Sequence, residues 1–364
     1  MRILLTSPSM DVGGAERVVA MLAAGLAARG HDVALAAPPG MRDADLAGVP
    51  HLRIAIDDHR RALRGAVATT AQVAGAVRRF APDVVHAQNV KAAATAVLAA
   101  PAARRRPPVL ATFHGVLPAE YPRAARVLRR PAHVVCVSAD LQDRLVQAGV
   151  RAERTSVIVN AVEAAPDLSG ARRAALDAEL GLPAGAPVVA IVGRLVPQKA
   201  HARFLVAARR VVDVLPEARL LVVGDGELRE DIRRQRDALG LADRVLLTGA
   251  RADARDLIAR ADVLAFSSDW EGLSIAALEA LAAGTPVVAT DVQGMRELLA
   301  GGAGAVVGLD DGTALGQAIA DLLPDAARRA AMGDAGRALI AGRFALDAMV
   351  GAYERRYEQL VRAR

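Results

Sequence analysis

The chain has 364 residues, 53% of them hydrophobic and 24% charged, with 46 basic and 40 acidic side chains. That length exceeds what one core ordinarily supports, so two domains of roughly 150–200 residues are expected, and the composition excludes a disordered, collagenous or coiled-coil chain. A lone cysteine, Cys136, excludes an internal disulfide and a cysteine zinc site.

Short β-rich runs alternate with Ala/Leu/Arg helical patterns from end to end, the mark of βαβ units and parallel sheets. Arg2 and the short apolar run 3–5 read as a first buried strand and not as a signal peptide. In the first half, strands are predicted at residues 2–6, 32–37, 84–87, 109–113, 133–138 and 156–159, with helices near 15–29, 90–100, 122–130 and 139–148. A Pro/Gly/Ala-rich stretch, 161–187, reads as a boundary. The rhythm then restarts, with strands at 188–192, 219–223, 245–248, 263–266, 286–290 and 305–307 and helices near 201–215, 228–239, 254–260, 275–283 and 295–300. The expected fold is α/β, two doubly wound Rossmann-like domains (1–160 and 161–344) facing across a cleft, with a last helix at 345–364 packing back on the first. No run approaches the ~18 apolar residues of a spanning helix, and the expected location is the cytoplasm.

Charge is uneven. Residues 1–160 carry 21 basic and 12 acidic side chains and are net positive, whereas the remainder is slightly negative. Arg60, Arg61 and Arg64, the run 104–106, and Arg123, Arg126, Arg129 and Arg130 suit either an anionic lipid surface or a phosphorylated acceptor, or form a solvated basic face. Only 2% of the chain is aromatic, which argues against nucleic acid as a partner.

The first strand runs into a turn holding Gly13, Gly14 and Glu16, where backbone can approach a ligand and a helix N-terminus favours phosphate. The second domain opens the same way at Gly193, Arg194 and Lys199. Only two lysines stand beside 44 arginines, so a lysine five residues after an arginine on one strand-end loop is unlike background usage. A compact ammonium and a forked guanidinium suit a diphosphate. Gly224 and Gly226 begin a dinucleotide fingerprint, but Arg229 stands at its third glycine, which disfavours a nicotinamide oxidoreductase. Farther on, Glu271 precedes a helix and Glu279 lies within it. The amides of Gly272, Leu273 and Ser274 then form an anion site at the helix start. Sugar hydroxyls are polar partners for a carboxylate in an otherwise apolar helix. About 12 Å of helix axis between the two carboxylates disfavours a two-carboxylate hydrolase. Trp270 fits equally a place beside a ligand or in the core. Asp43 and Asp45 form a D-x-D read as coincidence.

Taken together, the Gly13–Gly14–Ala15–Glu16 turn, Phe113–His114–Gly115, Val137–Ser138, the 193–199 loop, Gly224–Asp225–Gly226, and Glu271-x7-Glu279 followed by Gly284–Thr285–Pro286 resemble family 4 of the retaining glycosyltransferases, nucleotide-sugar-dependent enzymes of the GT-B fold. The resemblance covers nearly the whole chain in order. It implies that Arg194 and Lys199 neutralise a donor diphosphate. Further phosphate contacts come from the backbone at Gly13, Gly14 and residues 272–274. Glu271 binds hydroxyls of the transferred sugar, Glu279 the nucleotide ribose, and His114 reaches the sugar near the reacting centre. Base recognition falls near residues 248–251, which brings Arg251 into the donor set. Glu16 and His114 form the acceptor-side set. The implied activity transfers a hexose from a UDP- or GDP-sugar to a glycan or lipid-linked acceptor with retention, without metal or cofactor; an epimerase of the same fold and a non-catalytic sugar-nucleotide-binding protein are the alternatives. Three departures stand out: Ala200 where the family usually has glycine, Asn160–Ala161–Val162–Glu163 at the hinge, and His86–Ala87–Gln88 in place of a His-x-His pattern.

Overall fold

The computed structural model describes residues 1–11, 13–46, 48–55, 62–165 and 168–363. Arg60 and Arg61 of the expected basic cluster, and Val12 of the first turn, lie outside them. The first run of elements is β1 (Arg2–Thr6), α1 (Gly14–Ala28), β2 (Asp32–Ala37), β3 (His51–Arg53), α2 (Ala62–Phe80), β4 (Val84–Gln88), α3 (Asn89–Ala99), β5 (Val109–Phe113), α4 (Tyr121–Leu128), β6 (His133–Cys136), α5 (Ala139–Gln147) and β7 (Thr155–Val157). The second run begins with α6 (Gly170–Glu179), β8 (Val188–Val192), α7 (His201–Val214), β9 (Arg219–Val223), α8 (Arg229–Ala238), β10 (Val245–Gly249) and α9 (Ala254–Arg260). It continues with β11 (Val263–Phe266), α10 (Ile275–Ala283), β12 (Val287–Thr290), α11 (Gln293–Leu299), β13 (Gly304–Val307), α12 (Gly312–Leu322) and α13 (Ala326–Arg343), and the chain closes with α14 (Leu346–Arg362).

Two compact units result: Met1–Ala161 with Leu346–Arg364, and Val162–Ala345. Each holds one parallel sheet, with strand orders β3-β2-β1-β4-β5-β6-β7 and β10-β9-β8-β11-β12-β13. In both, the order reverses beside the first strand, between β1 and β4 and between β8 and β11. Loops leaving the carboxyl ends of those strands flank the crevice where doubly wound sheets take their ligands. The strands are buried on both faces, as Ile3, Leu4 and Leu5 of β1 and Val188, Val189 and Ala190 of β8 show, because helices cover each side.

Several elements carry a weak sequence signal. α2 is built of Ala, Gly, Val and Thr without a broad stripe of large apolar residues, and α6 lies in the expected boundary. Glycine inside α12 and α13 reads locally as a breaker, yet it lets helices approach. A Cβ at Gly316 would lie 2.5 Å from the Ala207 carbonyl oxygen of α7, and one at Gly333 would lie 2.3 Å from that of Gly284. The predicted strand 133–138 ends at Cys136 because Ser138 caps α5, its Oγ accepting from the Leu141 amide at 3.3 Å. Asp43 and Asp45 serve local structure: Asp43 accepts from the Gly40 amide at 3.2 Å, and Asp45 pairs with Arg42 at 3.0 Å.

α14 closes the first unit. Gly25 of α1 admits it, since a Cβ there would meet Val350 Cγ2 at 2.6 Å. Glu354 pairs with Arg29 at 2.7 Å and His31 at 2.9 Å, while Tyr353 and Tyr357 are fully buried beneath. In the second unit, Ala200 takes φ +46° and ψ +49° to start α7, the left-handed geometry that glycine adopts without the ~1–2 kcal/mol cost a Cβ imposes. Ala200→Gly is therefore expected to raise stability by up to about 1 kcal/mol, the relieved strain exceeding the added freedom of the unfolded chain. Denaturant unfolding measures it, and a destabilised variant contradicts the strain.

Candidate active site

In the second unit, β8 ends at Gly193, whose amide donates to the Val223 carbonyl at 3.0 Å. Gly224, at φ +142°, leaves room for the Gly193 carbonyl oxygen, which would lie 1.9 Å from a Cβ there; a Cβ at Gly226 would meet the Leu195 carbonyl oxygen at 2.5 Å. The Leu195 amide donates to Asp225 at 3.0 Å and its carbonyl accepts from Leu228 at 3.1 Å. These glycines thus seat one loop against the next. They fix the backbone that carries Arg194 and Lys199.

Lys199 is joined to the loop after β11. Its Nζ lies 2.5 Å from Glu271 Oε1, and the Ser268 hydroxyl donates to that same oxygen at 2.6 Å. The pair is largely desolvated, with side chains 17% and 5% exposed. Backbone stitches hold the two loops: Ser267 Oγ donates to the Lys199 carbonyl at 2.8 Å, the Asp269 amide to Gln198 at 2.9 Å, and the Gln198 side chain to the half-buried Trp270 carbonyl at 3.0 Å. Arg203 braces the same loop through Asp269 at 2.9 Å and through the Ser267 carbonyl. An ammonium has three N–H donors, so the ion pair leaves Lys199 further donors. Arg194 on the adjoining turn is exposed, and among the described residues nothing pairs with its guanidinium.

Gly272, Leu273 and Ser274 lead into α10, whose N-cap Ser274 makes no side-chain capping bond. A Cβ at Gly294 would lie 2.0 Å from the Gly272 carbonyl oxygen, so that turn is packed from behind. Glu279, 9% exposed in the second turn of α10, has Arg255 Nε at 3.8 Å, and Arg255 also bonds Glu163 at 3.0 Å. Arg251 is already paired: Glu179 closes on one edge of its guanidinium and Asp253 holds the other at 2.8 Å, which raises its pKa. Arg172 joins that cluster through Asp253 at 2.7 Å.

In the first unit, Gly13 precedes α1 in extended backbone, and the Glu16 carboxylate folds back over it, 2.1 Å from where a Cβ would be. His114 follows β5 and lies 3.0 Å, through Nε2, from Gln88 Oε1 at the end of β4. Behind it, His86 is fully buried, with Nδ1 2.7 Å from the Tyr357 hydroxyl and Nε2 2.7 Å from Thr112 Oγ1. Burial pushes His114 down to about 4; burial, then the charge of His114, pushes His86 down to about 3. Burial likewise holds the phenols of Tyr353 and Tyr357 above their ordinary range.

Sequence reasoning had singled out Lys199, Glu271, Arg194 and His114. It missed Ser268, Arg203 and Arg255. A serine three residues before Glu271 is a signal that was there to read, whereas nothing marks Arg203 or Arg255 among 44 arginines.

Two more histidines share this character: His133 is pushed down to about 4 by burial and then by Arg356, and His201 to about 4 by burial and then by Lys199. Each is lowered in the folded state, so the unfolded chain takes up the proton first. The stability is complete above about pH 6.5 and is lost as pH falls toward 4, at up to about 1.4 kcal/mol per pH unit for each histidine. His86, His114 and His133 lie in the first unit and only His201 in the second. Far-ultraviolet circular dichroism is expected to lose stability more steeply between pH 6.5 and 4 than fluorescence of Trp270, the one tryptophan, which reports the second unit. Equal slopes contradict the assignment.

Comparison with known proteins agrees with this architecture. Residues 172–339 match the family described as glycosyl transferases group 1, and residues 12–165 the family described as Glycosyltransferase Family 4. The lipopolysaccharide core biosynthesis glycosyltransferase LpsE of Rhizobium meliloti (strain 1021) is 29% identical over 346 residues, 94% of each chain. A GDP-mannose-dependent phosphatidylinositol monomannoside mannosyltransferase of Corynebacterium glutamicum is 36% identical over 181 residues, 47% of each chain. The crystal structure of Anabaena HepE in complex with UDP and glucose superposes with a TM-score of 0.84 at 24% identity, covering 99% of this chain and 100% of that one. With two glycosyltransferase families matched in succession along a pair of doubly wound α/β units, the chain belongs to the family 4 glycosyltransferases of the GT-B fold.

Proposed function

We propose that the enzyme transfers a hexose, with retention of configuration and without a metal ion, from a nucleotide diphosphate sugar to a glycan or lipid-linked acceptor of lipopolysaccharide or glycolipid synthesis. One observation carries the reading. Arg194, without a partner among the described residues, and Lys199, with donors left beyond its ion pair, stand on one turn at the carboxyl end of β8, in the same unit as the start of α10, whose Ser274 makes no side-chain capping bond. Two cations and a helix N-terminus supply the charge that a departing diphosphate requires.

In this mechanism the bond between the anomeric carbon and the diphosphate oxygen breaks first, and Arg194 and Lys199 take the negative charge that develops on the leaving group. The acceptor hydroxyl attacks from that same face and gives its proton to the diphosphate. Glu271, already accepting from Lys199 and Ser268, serves as a hydroxyl partner and not as a nucleophile. Glu279, a buried carboxylate on α10, is assigned to the ribose. His114 is assigned to the transferred sugar. Relatives named for GDP-mannose and UDP-galactose support a nucleotide sugar as donor.

Thermal unfolding with UDP, GDP, ADP, TDP and NAD, each in EDTA, tests the donor site. One nucleotide diphosphate at 100 times its Kd should add about 2.7 kcal/mol, and Lys199→Met should abolish that shift. Stabilisation by NAD alone contradicts the reading.

For a lipid-linked acceptor, the exposed Arg123, Arg126 and Arg130 of the α4 segment face the anionic membrane surface. Arg129 is used otherwise, donating to the Gly149 carbonyl at 2.7 Å. Among the described residues no helix is long and apolar enough to cross a membrane; the proposed contact is a peripheral one. Sedimentation with liposomes should require anionic lipid and weaken with added salt; binding indifferent to lipid charge rejects it.

A further inference from the structure

The departure at residue 88 acquires a role in the structure. β4 and β5 pair in register with Gln88 opposite Thr112, which places residue 88 beside His114, two positions farther along. Gln88 is 2% exposed, so its amide bonds inside the protein. Its oxygen lies 3.0 Å from His114 Nε2 and its nitrogen 3.2 Å from His86 Nε2. A hydrogen-bonded chain therefore runs in one direction. His114 Nε2–H donates to Gln88, the Gln88 N–H donates to His86 Nε2, and His86 Nδ1–H donates to the Tyr357 hydroxyl, 2.7 Å away. The Thr112 hydroxyl, 2.7 Å from His86 Nε2, donates to that same unprotonated nitrogen alongside Gln88, and lies 3.0 Å from the Tyr353 hydroxyl. His114 Nδ1 has no protein partner among the described residues.

We propose that Gln88 is a positioning residue for His114, holding it as the Nε2–H tautomer so that Nδ1 is a bare acceptor for a hydroxyl of the transferred sugar. This rests on the assignment of His114 to the sugar given above. A neutral imidazole free in water exchanges between two tautomers, and the partner of one nitrogen decides what the other can do. Gln88 joins an acceptor for His114 and a donor for His86 in one plane. Its neutral amide also gives the site no charge that would stabilise an imidazolium. Among the described residues, the ionisable groups on this side of His114 are His86 on β4, Tyr353 and Tyr357 of α14 and, beside Tyr353, the Cys136 thiol of β6, all uncharged at neutral pH.

The full-length protein labelled with 15N-histidine tests this by nuclear magnetic resonance without any ligand, His114→Ala identifying the signal. The wild type should show a protected proton on Nε2 and an unprotonated Nδ1. Gln88→Leu should lose that protection. Gln88→Glu should keep it and raise the protonation of His114 by roughly one pH unit or more, because a carboxylate favours the charged ring. A proton on Nδ1 in the wild type, or a Gln88→Leu spectrum identical to it, overturns the proposal.

Turnover of the nucleotide sugar whose base the thermal panel identifies separates the two levels. Gln88→Leu should lower kcat roughly tenfold, the order of one orienting hydrogen bond, with little change in donor KM. Gln88→Glu should keep more activity than Gln88→Leu at pH 8 and lose it as pH falls through the raised transition, since an Nδ1 that carries a proton cannot accept. A His114→Ala enzyme as active as the wild type rejects the assignment of His114 to the sugar, and with it the catalytic purpose given to Gln88, while the spectra still decide the tautomer.

Discussion

The second unit is organised around one ion pair. Lys199 and Glu271 meet at 2.5 Å with most of their water removed, and removing one partner from such a site costs ~3–5 kcal/mol, less where solvent still reaches the lysine. The loops that carry them leave β8 and β11, neighbours in the sheet. The pair therefore spans the point where strand order reverses and fixes the separation of the two loops before any ligand arrives. Ser267, Ser268, Gln198 and Arg203 hold the same loops from the sides, so under the proposed function a donor diphosphate would meet Lys199 already in place.

The first unit meets its burden differently, with neutral polar groups. Burial keeps the imidazoles of His86 and His114 uncharged, and hydroxyls and an amide, not carboxylates, satisfy them. An unpaired group in that position would forfeit a hydrogen bond outright, so a network of this kind tolerates little partial substitution. The two units thus divide their electrostatics. Around the candidate site, Arg194 and the Lys199–Glu271 ion pair stand on the second, and the neutral donors and acceptors of His86, Gln88 and His114 on the first.

Much of this was legible in the sequence. The alternation of short apolar runs with helical patterns gave both parallel sheets, and the scarcity of lysine made Lys199 conspicuous. The Glu271-x7-Glu279 segment marked the second loop. Elements such as α2, α12 and α13 escaped because their signal is small-residue packing, and glycine within a helix reads as a break until the carbonyl it admits is seen. Gln88 escaped for another reason. Its partner His114 lies on the next strand, and Tyr357, which bonds its other partner His86, lies on the last helix, so only strand register and the return of α14 bring the group together. Arg251 shows the converse, a residue conspicuous near the expected base site whose charge is taken up by Asp253 and Glu179.

The return of α14 also sets an order of assembly. The second unit is one continuous segment, Val162–Ala345, whereas the first is completed only by Leu346–Arg364. During synthesis at ~5–20 residues per second, the intervening segment takes roughly ten to forty seconds to emerge. Through that interval the nascent first sheet stands without Tyr353 and Tyr357, its His86 side open and the apolar flank of α1 uncovered. The later unit can close on itself while the earlier one waits, and α14, made after it, completes the part made first.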